Sequence, residues 1–544
     1  MKKYDYIIVG GGSSGCTLAG ELAKDPSVSV LVLETGSPAE RNPETLLADG
    51  YKTAFMNDDL MWERFSVPQQ GCFGKRLYMG SGRGVGGGGS VNGMVYTRGS
   101  RSDFDEWGVD GWRWKDVVAD YESLEKALLV RCREETEFTR QCIYAAESEG
   151  FKRKDDFHDG DLCGYLGYEW MNYVGNQRRS SYVSFVRGLS ANGNLELRTD
   201  ATVHRVVFEG KNAVGVEVDS DGKLETIRAT REVILAAGAL ETPKLLMLSG
   251  VGPGDQLRKF GIRSVFEQAN VGENFHDHPN CTLFYLGNRP TDCNYPQLYG
   301  FHRADGNSWD GSESADTCYV FYTGRSSLKE AMVRMLPPIA LPMSLYQNKM
   351  VANVARKGIR KLFWTDAMKS FVARVYGVVV ILGKPKSRGT VKLASGSVRD
   401  TALIDPAYLT HPADIEAMMH GVDRARRIAR APALKQWGNT ELHPDPLHRT
   451  RKGLENFVRG NLMTTYHYAG TCRMGMDSSS VVDPTLKVRG VEGLRIADAS
   501  VVPFTPVSAM NAPSMLVGLR AARMIAEERA GKGRAPEQGR FSSL

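Results

Sequence analysis

Residues 4–34, YDYIIVGGGSSGCTLAGELAKDPSVSVLVLE, decide the fold. The run 4–9 is short, apolar and rich in aromatic and β-branched residues, which predicts a buried strand. Apolar residues then recur at helical spacing over 16–24, and a second apolar run covers 28–33. The stretch therefore predicts a strand, a glycine-rich turn, a helix and a second strand that ends in an acidic residue.

The glycine-rich turn has the spacing G-x-G-x-x-G at Gly10, Gly12 and Gly15. Gly10 permits a tight turn, Gly12 lets a pyrophosphate approach the backbone, and Gly15 lets the helix pack closely on the strand. The helix N-terminus then faces the phosphates, and Glu34 can accept hydrogen bonds from a ribose. In this context the spacing predicts a Rossmann-like dinucleotide-binding domain, although it does not separate NAD from FAD. The alternative is a glycine-rich turn without a ligand.

Length and composition indicate a globular protein with several domains. The chain has 544 residues, of which 42% are hydrophobic and 24% charged, and this length predicts two or more domains. The net charge of +6 is too small to indicate nucleic-acid binding, and the sequence has no Lys/Arg block with interleaved aromatic residues. Anionic substrates and membrane surfaces stay open as partners.

The nine cysteines are scattered, odd in number and without a C-x-x-C spacing. This pattern predicts reduced thiols in a cytoplasmic protein, with neither a disulfide framework nor a zinc site. His276 and His278 flank Asp277, but two histidines at this spacing are a weak metal signal, so we predict a structural role and no metal. We expect neither a signal peptide nor a transmembrane helix, because a strand is predicted from residue 4 and no apolar run reaches about 18 residues.

A second concentration of glycine covers residues 80–93, GSGRGVGGGGSVNG. A flexible linker is the alternative interpretation, but Arg83, Val85, Val91 and Asn92 interrupt the glycines and an apolar stretch follows. A backbone this open can lie against a large flat ligand with its N–H groups exposed.

Three stretches together resemble the glucose-methanol-choline (GMC) family of FAD oxidoreductases. The first signature is matched by residues 82–99 followed by Asp105, and the second by residues 238–252, GALETPKLLMLSGVG. The third region begins at 467–475, HYAGTCRMG, and continues through 495–500 to 511–513. The resemblance runs from residue 4 to about residue 530 and implies FAD as the cofactor.

The resemblance implies oxidation of a small-molecule alcohol to an aldehyde or ketone by hydride transfer to flavin N5. His467 occupies the position of the family's catalytic histidine, and an imidazole can be unprotonated at neutral pH and act as general base. Asn511 occupies the position of its usual partner, where an amide can donate to the substrate oxygen. The residues expected to bind the cofactor are Gly10, Gly12, Ser13, Ser14, Gly15, Glu34, Arg83, Gly88, Gly89, Asn92, Gly93, Val95, Val203, Ala237, Gly238, Asp498, Ala499, Asn511, Ala512 and Pro513.

The electron acceptor is a quinone, another carrier or oxygen. We favour a dehydrogenase, because the sequence around His467 resembles that of bacterial choline and aliphatic-alcohol dehydrogenases. The alternatives are an oxygen-using oxidase, a non-oxidising relative of the hydroxynitrile lyase or photodecarboxylase type, and a flavin-binding protein without turnover.

Two departures from the family pattern concern the site. Tyr468 stands where many relatives have proline, and residues 508–513 read SAMNAP where GNTNAP is common, so the size and polarity of the substrate stay open. Val91 precedes Asn92 where some members have a histidine bonded to the flavin. Valine cannot form that bond, so we expect non-covalent FAD.

The predicted fold class is α/β with α+β character, and two domains are expected. A discontinuous FAD-binding domain covers 1–160, 195–275 and 465–530. A substrate-binding domain covers 161–194 and 276–464, built on an antiparallel sheet flanked by helices. Residues 531–544 are predicted to form a flexible tail, because they are polar and contain glycine and proline.

Residues 349–374 contain seven basic residues and one acid, Asp366, with apolar residues interleaved. One interpretation is a solvated lid helix over the substrate cleft. The other is a basic amphipathic surface that contacts anionic membrane. We favour the lid, and we expect a cytoplasmic protein with peripheral contact at the inner membrane face as the open alternative.

Overall fold

The computed structural model describes residues 3–189, 193–220, 222–304, 314–443 and 450–532. Within these ranges the strands are β1 (Lys3–Val9), β2 (Val30–Leu33), β3 (Met61–Trp62), β4 (Ser81–Gly82), β5 (Val95–Tyr96), β6 (Lys152–Arg153), β7 (Tyr165–Tyr168), β8 (Trp170–Met171), β9 (Tyr173–Val174), β10 (Gln177–Arg178), β11 (Leu195–Arg198), β12 (Ala201–Glu209), β13 (Asn212–Ser220), β14 (Lys223–Leu235), β15 (Val251–Gly252), β16 (Phe266–Glu267), β17 (Pro279–Leu286), β18 (Leu298–His302), β19 (Thr317–Thr323), β20 (Val375–Leu382), β21 (Thr390–Lys392), β22 (Leu403–Asp405), β23 (Thr440–His443), β24 (Met463–Thr464) and β25 (Leu494–Ile496).

The α-helices of the described residues are α1 (Ser13–Leu22), α2 (Tyr51–Ala54), α3 (Arg101–Asp105), α4 (Trp114–Leu128), α5 (Glu137–Glu147), α6 (Gly238–Leu248), α7 (Gly254–Lys259), α8 (Gly324–Ala340), α9 (Met343–Tyr346), α10 (Lys349–Leu362), α11 (Asp366–Arg374), α12 (Pro412–Arg430), α13 (Pro432–Trp437), α14 (Arg451–Asn461) and α15 (Asn511–Lys532). Residues 533–544 of the predicted tail lie outside the described residues, and residues 531 and 532 end α15.

The first sheet has seven strands in the order β11-β2-β1-β14-β13-β12, with β25 beside β14. Strands β11, β2, β1, β14 and β25 run parallel to their neighbours, and β12 and β13 form an antiparallel arm on β14. The four residues of β2 are all buried, which is why this strand reads as a continuous apolar run. The arrangement is that of a dinucleotide-binding sheet.

Helix α1 begins three residues earlier than the sequence pattern predicts. Gly12 is its N-cap, so Ser13, Ser14 and Gly15 are already helical. A Cβ on Gly15 would lie 2.0 Å from the carbonyl oxygen of Gly10, so close packing requires a glycine inside the first turn. The glycines therefore mark both a turn and a helix start, which sequence spacing alone does not separate.

The second sheet has eight strands in the order β23-β17-β20-β19-β18-β7-β6, with β24 beside β17. All its pairings are antiparallel except that of β6 with β7. Helix α12 packs on this sheet, and Val422 and Ile428 of α12 are fully buried in its core with Val378 of β20. The predicted α/β class, with a Rossmann-like first sheet and an antiparallel second sheet, is confirmed, whereas the division into domains stays a prediction.

Helices α8 to α11 form a layer in which α10 and α11 pack on α8. Arg356 of α10 is buried and pairs with Asp58 at 2.9 Å and with Glu63 at 3.0 Å. One of the seven basic residues of the 349–374 stretch therefore faces inward. Among the described residues, no helix is long and apolar enough to cross a membrane.

Candidate active site

A cavity of about 800 Å³ lies between the two sheets. On one side it is lined by the carboxyl ends of β1, β2 and β14, on the other by β17, β19, β20 and α8. Parallel sheets bind their ligands at the carboxyl ends of the strands, so this is the expected place for a dinucleotide.

The glycine-rich turn enters this cavity with an open backbone. Gly10 has φ of +110°, and a Cβ there would lie 2.4 Å from the carbonyl oxygen of Ala236, so packing requires this glycine. Gly12 differs, because a Cβ there would meet no heavy atom within 4 Å. Gly88 and Gly238 share this property, and all three line the cavity. Backbone at these points can approach a ligand closely.

The N-terminus of α1 points its free amides at the same space. Its N-cap Gly12 makes no side-chain capping bond, and no acidic residue lies in the first turn. The first N–H groups of a helix lack intrahelical partners and favour an anion. The three open glycines and the uncapped helix start therefore fit the pyrophosphate of a dinucleotide.

Glu34 follows β2, is buried, and lines the cavity. Its carboxylate accepts hydrogen bonds from the backbone N–H groups of Gly11 at 2.9 Å, Gly36 at 2.8 Å and Gly84 at 3.2 Å. Burial raises the pKa of this carboxyl group, and the three amides oppose that rise. A carboxylate can accept about four hydrogen bonds, so Glu34 joins the two glycine stretches and keeps acceptor capacity for a ribose.

The second glycine stretch is held from behind by Arg178, which sequence reasoning missed. Its side chain is fully buried and donates to the carbonyl oxygens of Gly89 and Asn92 at 3.0 and 2.6 Å, and to Oδ1 of Asn92 at 2.7 Å. Burial lowers the pKa of Arg178 to about 9. Arg178 lies in β10, far along the chain from residues 89–92, so no local sequence pattern connects it to them.

Asp498 belongs to the third stretch that resembles the family, and it links this stretch to α6. Its carboxylate accepts from the backbone N–H of Gly238 at 2.9 Å and from the hydroxyl of Thr242 at 2.6 Å. Asp498 and its neighbour Ala499 line the cavity, as do Ala237 and Gly238. This contact places the loop after β25 at the same cavity edge as the end of β14.

His467 lines the cavity, and His278 lies beside it. The two Nδ1 atoms are 2.9 Å apart, so one ring must donate its proton to the other. The Nε2 atom of His278 is buried without a hydrogen-bond partner. In the tautomer in which Nδ1 of His467 donates to His278, Nε2 of His467 keeps its lone pair. His278, predicted to be structural, thus lines the cavity and contacts His467, and its role stays a prediction.

The backbone of His467 is fixed by Asp277, which lies beside His278 in the chain. The carboxylate of Asp277 accepts from the backbone N–H of His467 at 2.7 Å, from Thr464 Oγ1 at 2.5 Å, and from the hydroxyl of Tyr408. Burial raises the pKa of Asp277 to about 6. Burial also lowers the pKa of His467 to about 4, so its imidazole is neutral at pH 7.

Asn511 lines the same cavity and is the first residue of α15. The hydroxyl of Ser13 donates to its Oδ1 at 2.9 Å. This contact orients the amide and leaves its NH₂ group as the donor. Ser13 and Ser14, both in the first turn of α1, also line the cavity, and Ser14 donates to the carbonyl oxygen of Ser514.

Most of the predicted site residues line this single cavity. Those not already placed are Gly89, Asn92, Gly93 and Val95 of the second glycine stretch and Val203 of β12. Four predicted residues do not line it, namely Gly15, Arg83, Ala512 and Pro513. The Arg83 guanidinium lies 4.8 Å from the ring centre of Trp62, and its Nε is buried without a hydrogen-bond partner.

The comparison with protein families agrees with this site. The sequence models of the GMC oxidoreductase family match residues 4–280 and residues 385–518. The chain belongs to the GMC oxidoreductase family. Members of this family are FAD flavoproteins, so this GMC oxidoreductase is an FAD-dependent enzyme that acts on CH–OH groups.

Relatives of this GMC oxidoreductase match nearly its whole length. It is 31% identical to the alcohol dehydrogenase [acceptor] of Pseudomonas putida, over 96% of this chain and 95% of that protein. It is also 31% identical to the oxygen-dependent choline dehydrogenase of Sinorhizobium medicae (strain WSM419), with the same coverage. The crystal structure of pyridoxine 4-oxidase from Mesorbium loti has the same fold, with a TM-score of 0.82 and 24% identity over 96% of this chain and 99% of that chain.

Proposed function

We propose that this GMC oxidoreductase oxidises an alcohol to an aldehyde or ketone with His467 as the general base. The observation that carries the proposal is the placement of a buried, neutral imidazole in the cavity that also holds the glycine turn. Bound FAD would supply the electron sink, an acceptor at flavin N5 for a hydride from the carbinol carbon. His467 accepts the hydroxyl proton, so that an alkoxide can release the hydride.

The other side chains position this base and the substrate. Asp277 holds the backbone of His467 and His278 contacts its ring through Nδ1, which leaves Nε2 of His467 as the accepting nitrogen. Asn511 is oriented by Ser13, and its NH₂ group is a donor for the substrate oxygen. A substrate held between a base and a donor loses less orientational freedom at the moment of reaction.

Anaerobic flavin reduction tests this function directly. The purified protein is mixed with a library of alcohols without oxygen, and the flavin absorption is followed. An alcohol oxidoreductase bleaches its flavin and forms the corresponding carbonyl product. A hydroxynitrile lyase leaves the flavin oxidised, so an unbleached flavin with product formation would support that alternative instead.

We propose a dehydrogenase that passes electrons to a quinone or another carrier. The sequence context of His467 supports this choice over an oxidase. The proposed FAD-binding domain covers 1–160, 195–275 and 465–530, with the substrate-binding domain in 161–194 and 276–464. Reoxidation of the reduced flavin by a soluble quinone should be faster than by oxygen, and the reverse order would indicate an oxidase.

FAD is expected to be bound non-covalently. Val91 lines the cavity and carries no nucleophilic atom that could attach to the flavin. Denaturing the yellow protein should therefore release all the flavin into the supernatant. Flavin that stays with the precipitated polypeptide after centrifugation would contradict this prediction.

The outward face of α10 supports the membrane alternative. Ala352 and Arg356 are buried, and on the opposite face Met350 and Val354 are 77% and 65% exposed. The lysines of this face, Lys357 and Lys361, are exposed as well. Residues 331–365 contain no acid at all. We propose peripheral contact of this cytoplasmic protein with anionic lipid through this face.

Vesicle flotation checks the membrane contact. The protein should float with phosphatidylserine vesicles at low salt and less at high salt, since each basic residue near the surface contributes up to about 1 kcal/mol. The double variant Lys357→Glu, Lys361→Glu should stay at the bottom, while Lys435→Glu on α13 should float like wild type. Equal flotation with neutral and anionic vesicles would favour the lid interpretation.

A further inference from the structure

We infer that the site takes a neutral alcohol with an apolar body, and not a charged or polyhydroxylated one. This inference rests on the proposed function and narrows it to a substrate class. It comes from the part of the cavity wall that α8 and the second sheet form.

That wall is built largely by one face of α8. Met332, Met335, Leu336 and Ile339 of α8 line the cavity and recur at three- and four-residue spacing, so they share one side of the helix. From Met332 to Ile339 the helix rises about 10 Å. Ile339 is also 71% exposed, so it stands at the mouth. The wall therefore runs from solvent towards His467 as an apolar surface.

The second sheet contributes mostly apolar side chains to the lining. Phe284 of β17, Val320 of β19 and Val379 and Ile381 of β20 line the cavity, and Phe55 joins them from the segment after α2. Two hydroxyl groups of the lining, those of Tyr322 on β19 and Ser327 on α8, lie 3.3 Å apart and bond to each other. Apolar walls of this kind favour hydrocarbon over water, by roughly fourfold in affinity for each buried methylene.

Among the described residues that line the cavity, the charged side chains come from neither α8 nor the second sheet. They are Glu34, Arg64, Glu241, Lys244 and Asp498. Each already has partners, because Arg64 and Lys244 both pair with Glu241 at 2.7 and 2.6 Å, and the two other carboxylates accept backbone N–H groups. The α8 side of the described lining thus offers no counter-ion, and a charged substrate group would be buried unpaired there.

Within the described lining, aromatic side chains could hold a cation. Tyr51, Phe55 and Tyr466 line the cavity, and an aromatic face attracts a quaternary ammonium group. The choice between a neutral and a cationic substrate therefore needs a pair of compounds with the same shape. Choline and 3,3-dimethyl-1-butanol form such a pair, since a carbon replaces the charged nitrogen.

The test measures binding and reduction separately in the FAD-loaded protein under anaerobic conditions. Binding is read from the shift of the flavin absorption, and reduction from its bleaching. We expect 3,3-dimethyl-1-butanol and 1-octanol to bind at least about 100-fold more tightly than choline, because choline would lose its hydration without gaining a counter-ion. Tighter binding of choline, or of a sugar alcohol, would overturn the substrate class. Binding in the expected order without any bleaching would leave the class standing and overturn the proposed function.

A substitution in the wall provides the second arm. Leu336→Trp, one helical turn from Ile339 at the mouth, should obstruct the outer part of the cavity and weaken binding of 1-octanol at least tenfold, with 1-butanol changed less than about twofold. Met350→Trp is the control, because Met350 lies on α10, is exposed and does not line the cavity. Equal effects of Leu336→Trp on both alcohols would show that the chain does not lie along α8 and would overturn this placement.

Discussion

Replacing His467 by alanine is expected to slow flavin reduction by about 10²–10⁴-fold, the usual span for the loss of a positioned base. FAD content should be unchanged, because His467 is not part of the glycine turn proposed to receive the pyrophosphate. Stopped-flow reduction by a good alcohol substrate measures the effect. Asn511→Ala should cost less, since it removes a donor and leaves the base.

The control for this substitution is His420→Ala. His420 lies on α12, is partly exposed and does not line the cavity, so its loss should leave reduction within about twofold of wild type. Near-normal reduction in His467→Ala would reject His467 as the base. The next residue to test as the base would then be His278, which contacts His467.

The pH dependence of reduction provides a second readout for the same residue. The pKa of His467 is lowered to about 4 by burial, so the neutral ring persists well below the usual histidine range. The rate should be flat from pH 8 to about pH 5 and fall only as the pH approaches 4, because the imidazolium cannot accept a proton. A midpoint near the ordinary value of about 6.5 would contradict a buried base.

Gly12→Ala is expected to weaken FAD binding without unfolding the protein. A Cβ on Gly12 meets no protein atom within 4 Å and projects into the space proposed for the pyrophosphate. We expect the affinity for FAD to fall at least tenfold, which corresponds to about 1.4 kcal/mol. Titration of the apoprotein with FAD measures this, and circular dichroism checks the fold.

Gly15→Ala is the matched comparison, because it lies in the same turn but faces the protein. Its Cβ would lie 2.0 Å from the carbonyl oxygen of Gly10, so the backbone must move. We expect destabilisation by about 1–3 kcal/mol, seen as earlier thermal unfolding. Full FAD binding by Gly12→Ala would show that the pyrophosphate does not pass this glycine.

Local patterns predicted the first sheet well, because its strand–turn–helix–strand unit is encoded within some thirty consecutive residues. The start of α1 was predicted too late, since Gly15 reads as part of a turn although it is required by a contact with Gly10. The antiparallel second sheet followed from the family resemblance and from apolar runs such as the one that forms β20.

The contacts around His467 could not be predicted from local patterns. His278 meets His467 across 189 positions of the chain, and Arg178 supports Gly89 across 89 positions. Such contacts depend on how the two sheets are placed, which short-range periodicity does not encode. Helix α8 was also not distinguished from the helices around it, although its apolar face lines the cavity.

The two ends of the chain meet at the cofactor cavity. Ser13 bonds to Asn511 across 498 positions, and β25 completes the first sheet only with residues 494–496. During synthesis a ribosome-bound chain therefore lacks one side of this cavity until almost the whole protein has emerged. Closing so long a loop is slow and leaves the early strands exposed in the meantime. We expect FAD to be captured after translation ends, so the supply of free flavin and protection by chaperones together set the yield of active enzyme.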